Sequence, residues 1–221
     1  MIAVESITKT YGTFSAVDDV SFSTRPGRVT GLVGPHGSGK STTLRVIVGL
    51  TTASSGTATV CGHRYVDLPN PGLVVGVLLD AAAQHPGRTG RETLSIARRF
   101  MGLPRVRVEE MLDFVSLTPV EASRRVRSYS LGMRQRLGIA IALIGEPEVL
   151  ILDDPAKGLD SAGLRWLGRM LRDHADRGGT VLLSSHRRYE IEGMADDLVV
   201  VDSGRITAQE TVADQPEGPR T

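Results

Sequence analysis

A glycine-rich segment near the start of the chain has the residue types needed to bind a nucleoside triphosphate. Its glycines lack a Cβ, so the backbone can wrap around an anion and direct amide groups at phosphate oxygens. Lys40 would reach the β- and γ-phosphates as a compact charge, and the hydroxyl of Ser41 would be a ligand for Mg²⁺. This phosphate loop fits the pattern G-x-x-x-x-G-K-[ST] and consists of Gly34, Pro35, His36, Gly37, Ser38, Gly39, Lys40, Ser41 and Thr42.

The residues on either side of the phosphate loop support this interpretation. Residues 28–33 form a short apolar run that predicts a strand, and residues 41–48 predict the start of a helix. A strand, a glycine loop and a helix in this order are the arrangement that phosphate binding needs. The alternative, a glycine-rich turn with an accidental lysine, does not predict these neighbours.

Polar side chains also follow two later apolar runs. Residues 149–152 form a continuous apolar stretch, typical of a parallel strand buried on both faces, and Asp153 and Asp154 come directly after it. Residues 181–185 lead in the same way to His186. Because ligands of open α/β sheets bind beyond the carboxyl ends of the strands, we expect these side chains and the phosphate loop to share one pocket. Asp153 is then predicted to hold Mg²⁺ beside the loop serine.

Strands and helices alternate along the rest of the chain, which predicts an α/β fold. Apolar residues at 94–101 and 108–115 recur at helical spacing. The last dozen residues are polar and rich in proline and glycine, so we expect a flexible tail at 209–221. The further predicted strands are 2–7 and 20–23, both expected at exposed edges, and 57–61, 74–79 and 198–201.

The composition limits the possible classes of protein. The chain has 221 residues and a net charge of +1, so it suits one domain and has no overall field that would attract nucleic acid or anionic lipid. Its one cysteine, Cys61, excludes an internal disulfide. No segment resembles a signal peptide, and the longest apolar stretches are far shorter than a membrane span. We therefore expect a cytosolic protein whose membrane contact comes only through a partner.

Six motifs in order make the chain resemble the ATP-binding subunit of an ABC transporter. The resemblance covers nearly the whole chain and is specific because the motifs keep the family's order and spacing. They are the aromatic Tyr11, the phosphate loop, a signature segment that begins at Tyr129 and runs through Ser130–Arg136, the run Leu150–Asp154, the loop Gly158–Asp160, and Ser184–His186 with its switch histidine.

The resemblance implies a P-loop NTPase of the ABC ATPase type. Its fold would have a mainly parallel central sheet, an antiparallel N-terminal sheet and an inserted helical subdomain. A single domain would span residues 1–221, with a nucleotide-binding core at 1–79 and 135–221 and the helical subdomain at 80–134. Two subunits would bind two ATP molecules head to tail, either as a homodimer or beside a different ATPase.

The resemblance also assigns roles to residues. Asp154, His186 and Lys40 would be catalytic, and Ser41, Asp153 and Asp80 would surround Mg²⁺. Beyond the phosphate loop, the ATP-binding residues would be Tyr11 and, for the ATP of the second subunit, Ser130, Gly132, Met133 and Asp160.

Several of these residues also have simpler explanations. Tyr11 suits an ordinary aromatic at a strand end, and His186 suits a surface histidine. Asp160 and Ser130 suit N-caps of helices that begin at Ser161 and after the signature serine.

Two positions depart from the family pattern in ways that bear on catalysis. Asp154 stands where relatives carry the glutamate that polarises the attacking water, which predicts slow hydrolysis because the side chain is one methylene shorter. Asp80 stands where a glutamine contacts Mg²⁺, and Gln84 lies too far along to replace it. Met133 in the signature and His36 in the phosphate loop are milder departures.

The expected function is therefore ATP binding and hydrolysis coupled to transport by a separate membrane permease. The motifs look most like bacterial exporters of the drug-resistance and antibiotic-immunity type, with the ATPase at the inner face of the cell membrane. One alternative is an ATP-clamping subunit paired with an active ATPase. Another alternative is a soluble ABC ATPase that acts on ribosomes or DNA. This alternative is disfavoured because the sequence shows neither a second ATPase unit nor a basic patch. Because the predicted strand at 198–201 lies near the end of the sequence, we also expect no equivalent of the longer C-terminal region that many relatives carry.

Overall fold

The computed structural model describes residues 1–212. Strands and helices alternate as predicted, with short 3₁₀ turns at Tyr65–Asp67, Ala81–Ala83 and Val126–Ser128. The strands are β1 Ile2–Tyr11, β2 Phe14–Ser23, β3 Arg28–Val33, β4 Ser55–Val60, β5 Val75–Leu78, β6 Val149–Asp153, β7 Thr180–Ser185, β8 Asp197–Asp202 and β9 Arg205–Thr211. The helices are α1 Lys40–Ile47, α2 Pro71–Val74, α3 Gly90–Phe100, α4 Val106–Phe114, α5 Pro119–Ala122, α6 Leu131–Leu143, α7 Ser161–Asp176 and α8 Arg188–Ile191.

A six-stranded sheet in the order β5-β6-β7-β3-β8-β9 forms the centre of the molecule. Its strands run parallel except β9, which is antiparallel to β8. Side chains of β6 and β7 alternate between two apolar cores: Ile151 and Leu182 face one, and Leu150 and Leu183 face the other. The expectation that β6 is buried on both faces is thus confirmed. Because these strands are parallel, the residues that follow them meet at one edge of the sheet.

A second, antiparallel sheet in the order β2-β1-β4 lies over one face of the central sheet. The core between them includes α1, whose Leu44 and Ile47 are almost fully buried beside Ile2 of β1 and Leu32 of β3. The antiparallel N-terminal sheet is confirmed, but the expectation of two edge strands is wrong for β1. This strand pairs on both sides because β4 returns along it.

Helices α3 to α6 form a separate apolar core around Leu94, Leu112 and Leu137. Reciprocal hydrogen bonds between Thr89 and Glu92, and between Thr118 and Glu121, cap the starts of α3 and α5. Helix α6 contributes side chains both to this core and to the core under the central sheet. The inserted helical subdomain is therefore present, and α6 connects it to the strands.

The prediction of a flexible tail at 209–221 is wrong for its first residues. Residues Gln209–Thr211 belong to β9, which pairs with β8 from Asp197↔Thr211 to Asp202↔Arg205. Its apolar residues are few and its outer face is exposed, so its residue pattern contains no strong strand signal. Residues 213–221 lie outside the described part of the chain. Within residues 1–212, no helix has the length and apolar character that a membrane crossing requires.

Candidate active site

A cavity of about 620 Å³ opens at the carboxyl edge of the central sheet, where the sequence predicted it. The phosphate loop between β3 and α1 lines it together with Asp153 and Asp154 after β6, His186 after β7, and Asp80 after β5. Tyr11 lies at its rim with the β1–β2 turn. Residues 150 positions apart, such as His36 and His186, thus meet at one site because the strands that precede them, β3 and β7, are neighbours.

The glycines of the phosphate loop are required by the shape of its backbone. Gly37 and Gly39 have φ angles of +79° and +100°, in the region that favours glycine. A Cβ on Gly39 would collide with the carbonyl of Ala16, whereas a Cβ on Gly37 would meet nothing within 4 Å. The loop is therefore fixed against the protein on one side and open on the side where an anion would lie.

Lys40 is folded back onto the phosphate loop. Its Nζ donates to the carbonyls of Gly34 at 2.8 Å and Pro35 at 2.7 Å, and to the hydroxyl of Ser38 at 3.2 Å. The side chain is buried, and burial lowers the pKa of Lys40, while the negative charges of Asp153 and Asp154 oppose this shift. The loop thus supplies a desolvated cation, which suits a phosphate ligand.

The two carboxylates after β6 have different surroundings. Asp153 accepts a hydrogen bond from the hydroxyl of Ser184, and the same hydroxyl accepts from the backbone N–H of Asp154 at 3.0 Å. Ser184 is fully buried and joins β7 to both aspartates. The sequence analysis quoted this serine only as a neighbour of His186. Its position at the end of an apolar strand could have indicated the contact.

Asp154 has a left-handed backbone conformation, with φ of +49°. Its Oδ2 lies 3.1 Å from Nδ1 of His186, and its Oδ1 is buried with no hydrogen-bond partner among the described residues. Gln135 of α6 donates to the Asp154 carbonyl at 3.3 Å. A strained residue with an unpartnered buried carboxylate oxygen in a cleft is typical of a functional position.

His36 projects from the phosphate loop toward the switch histidine. The rings of His36 and His186 stack, with centroids 4.2 Å apart and planes inclined by 27°. The sequence analysis treated His36 as a mild replacement in a loop whose backbone does the binding. It could not foresee this contact because the two residues belong to β3–α1 and β7–α8 segments far apart in the chain.

Asp80 and Gln84 have separate roles in the structure. The Asp80 carboxylate accepts from the Ala82 N–H at 2.7 Å, so it caps the 3₁₀ turn that follows β5, and it lines the cavity. Gln84 instead donates to the Arg134 carbonyl at 2.8 Å and lies in a different groove. Of the two, Asp80 is the residue that faces the phosphate loop.

Two exposed aromatic side chains form the outer wall of the cavity. Tyr11 is 52% exposed, and Lys9 Nζ lies 4.9 Å from its ring centroid. Phe14 pairs with Tyr11 across the β1–β2 turn and is 63% exposed. The sequence analysis did not select Phe14, although an aromatic three residues after Tyr11 was a usable signal. Exposed rings at a cavity rim suit a flat, stacking ligand such as a purine base.

Four predicted ATP ligands from the signature segment and the loop before α7 lie outside this cavity, whereas Leu131 and Gln135 of the signature segment line it. Ser130, Gly132, Met133 and Asp160 line a second cavity of about 390 Å³. Both proposed N-caps are present: the Ser130 hydroxyl accepts from Met133 N–H at 3.2 Å, and Asp160 accepts from Gly163 N–H at 2.7 Å. A Cβ on Gly132 would lie 2.7 Å from the Gly158 carbonyl, so the signature packs closely on the loop that precedes α7. The predicted ATP ligands are thus divided between two cavities, which we call the two half-sites.

Comparison with known proteins identifies the class. Residues 17–157 match the family described as ABC transporter. The chain is 39% identical over 214 residues to Nod factor export ATP-binding protein I of Ralstonia nicotianae, covering 95% of this chain and 66% of the relative. It is 34% identical over 209 residues to the bacitracin transport ATP-binding protein BcrA of Bacillus licheniformis, covering 93% of this chain and 68% of the relative.

A solved structure shows the same fold. The dimeric ATP-binding cassette MJ0796, in a post-hydrolysis state bound to ADP and Pi, has a TM-score of 0.86 at 23% identity and covers 97% of this chain and 100% of its own. The chain belongs to the ABC transporter family and is an ATP-binding subunit of the ABC ATPase type; it spans about two thirds of the length of these two relatives. The predicted family, fold and enzyme class are confirmed.

Proposed function

We propose that the chain couples head-to-tail closure of an ATPase dimer to export by a membrane permease on a separate chain. The observation that carries this proposal is the separation of the two half-sites. The phosphate loop with its carboxylates lines one cavity, beside Leu131 and Gln135, whereas Ser130, Gly132, Met133 and Asp160 line another. In a head-to-tail dimer each ATP would contact the phosphate loop of one subunit and the signature of the other. ATP would then hold the two subunits together.

Mg²⁺ fits the residues of the main cavity. Magnesium in such sites takes one or two carboxylates together with substrate phosphates and water, so it needs no cluster of protein ligands. Within residues 1–212, no group of three or more His, Cys, Asp or Glu side chains is arranged to hold a metal ion by itself. Ser41, Asp153 and Asp80 line the cavity and would hold the ion. When bound, the ion would neutralise charge on the phosphates.

Asp154 and His186 would act at the γ-phosphate. The unpartnered Oδ1 of Asp154 would accept a hydrogen bond from the attacking water and orient it. Its Oδ2 would keep Nδ1 of His186 in place, so that the other ring nitrogen can donate to a phosphate oxygen. Water adds to the γ-phosphorus as the bond to the β-phosphate oxygen breaks. Lys40 would move from the loop carbonyls to the phosphates.

The permease would dock in a groove between the core and the helical subdomain. This groove, about 360 Å³, is lined by apolar residues of β5, α3 and α6, among them Leu78, Ile96 and Ile141. Arg88 lies at the rim of this groove. Its carbonyl accepts a backbone hydrogen bond from Val126, so the exposed arginines on either side of Val126 lie close to the groove as well. This local basic surface was not foreseen from the net charge of the chain. An amphipathic helix with acidic residues along one side would suit it.

The relatives indicate the kind of cargo. Their names refer to bacitracin transport, lantibiotic transport and Nod factor export. We propose that the transporter belongs to the drug-resistance and antibiotic-immunity type and that this chain works at the cytoplasmic face of the cell membrane. A second candidate is an ATP-clamping subunit beside an active ATPase. It is favoured by Asp154 and Asp80, which stand where catalytic glutamate and glutamine are usual.

A complementation experiment tests the two half-sites. Lys40→Ala removes the phosphate-loop cation, while Ser130→Asp keeps a good N-cap on α6 but puts a negative charge where phosphate should bind. Each variant alone should hydrolyse little ATP. Mixing them at equal concentration should restore activity, because the dimer of unlike variants has one unaltered site.

The matched control is Ser130→Asn, a neutral residue that also caps helices. It should lose much less activity than Ser130→Asp. If the mixture stays as inactive as its parts while each variant binds the wild-type chain, the head-to-tail homodimer is wrong. A further increase in ATP hydrolysis when a candidate permease is present would support coupling of hydrolysis to transport. If hydrolysis occurs only when a different ATPase subunit is added, the clamping role is favoured.

A further inference from the structure

The stacked pair of His36 and His186 is not explained by phosphate binding. Backbone amides of the loop and the Lys40 ammonium are sufficient to hold phosphates, and an imidazole is not needed at position 36. His36 is exposed on the loop, so no packing requirement of the core selects its ring. Its ring nevertheless lies nearly parallel to that of His186, with 4.2 Å between centroids. We therefore expect the role of the His36 ring to lie in its effect on His186, the switch histidine.

The contacts of His186 other than the one with His36 do not fix the orientation of its ring. The side chain is 20% exposed and follows the last residue of β7, where the sheet no longer holds it. Asp154 binds one ring nitrogen at 3.1 Å, which fixes a distance but allows the ring to swing about that contact. A flat partner over one face removes this remaining freedom. Two contacts in different directions thus hold the ring, one in its plane and one on its face.

We propose that His36 is a positioning residue that holds the His186 ring in the orientation needed to contact the γ-phosphate. The inference rests on the role proposed above for His186. The short side chain of Asp154 makes this support more important, since its carboxylate must serve both the ring and the attacking water. His36 supports one face of the His186 ring by stacking and contacts no reacting atom itself.

Planarity is the property that the proposal requires of residue 36. His36→Ala and His36→Asn should lower kcat about 2- to 10-fold, the range expected for a stacked ring pair. His36→Phe should restore most of the loss because it offers a flat ring without any ionisable nitrogen. The KM for ATP should change little, since the loop amides and Lys40 are unaltered. His63→Ala, an exposed histidine on the β4 side of the molecule, is the matched control.

A double-mutant cycle separates positioning from a general effect on the loop. In a His186→Gln background, His36→Ala should have no additional effect on the residual rate. An equal loss in both backgrounds would overturn the proposal, as would a Phe variant that behaves like Ala. A His186→Gln chain with unaltered kcat would instead refute the role of His186, and that result does not depend on residue 36.

A measurement without turnover completes the test. In protein with isotope-labelled histidines, the ring protons of His186, assigned from His186→Gln, should shift when His36 becomes Ala and shift in the opposite sense with Phe. The reason is the ring current of the stacked partner. If these signals are the same in wild type and His36→Ala, with and without a non-hydrolysable ATP analogue, the rings do not stack in solution and the inference is wrong.

Discussion

Replacing Asp154 with glutamate should accelerate ATP hydrolysis. In the structure Asp154 Oδ2 is bonded to His186 at 3.1 Å, while Oδ1 is buried without a partner among the described residues. One more methylene moves the carboxylate roughly 1.5 Å farther from the backbone. Because a 1 Å misplacement of a catalytic group can cost about 100-fold, we expect Asp154→Glu to raise kcat by about 10- to 100-fold.

The assay is steady-state phosphate release at saturating Mg²⁺ and ATP, with purified protein at several concentrations. Asp154→Asn serves as the isosteric control: it keeps the size of the side chain but cannot act as a base, and its rate should fall below that of wild type. Lys40→Ala sets the background. An Asp154→Glu rate equal to or below the wild-type rate, with ATP binding intact, would refute the reasoning and favour the clamping role.

Three further predictions concern stability. Burial lowers the pKa of His174 in the folded chain, so between that pKa and about 6.5 the unfolded chain binds a proton that the folded chain does not. The free energy of unfolding should therefore fall as the pH decreases from about 7.5 to about 5.5. Urea titration should show a smaller fall in the His174→Gln variant. Asp160→Ala should destabilise by about 1 kcal/mol, or about 2–4 °C in Tm, because the cap on Gly163 N–H is lost, and Asp160→Asn should not. A Cβ on Gly90 would collide with the hydroxyl of Tyr129, so Gly90→Ala should cost less stability in a Tyr129→Phe background, and equal costs in a thermal melt would contradict this geometry.

The sequence predicted most of the fold because its strongest signals are local. The phosphate loop lies between a strand and a helix, and the apolar run of β6 ends at Asp153, so both could be recognised without tertiary information. Strand β9 could not, because its alternation is weak and its pairing with β8 provides most of its order. The edge position expected for β1 failed for a similar reason: the partner β4 begins 44 residues after β1 ends.

Contacts between side chains were the least predictable part of the site. Ser184 was visible in the sequence, but its hydrogen bonds to both Asp153 and Asp154 depend on β6 and β7 being neighbours. The stacking of His36 on His186 depends in addition on β7 lying beside β3. Motif recognition gives the residues of each segment, whereas strand order decides which of them touch.

Three of the four departures from the family pattern fall around one region of the main cavity, whereas the fourth, Met133, lines the second cavity. The groups predicted to bind the triphosphate follow the family pattern: the glycine loop has the required φ angles, and Lys40 is folded against its carbonyls. The unusual residues, Asp80, Asp154 and His36, line the space where water, metal and γ-phosphate would meet. Under the proposed function, variation restricted to that space would change the rate of hydrolysis and would leave the nucleotide-dependent closure of a dimer intact. A subunit with these features would keep ATP bound for longer in each cycle, and its rate of turnover would then depend on how the His186 ring and the attacking water are held.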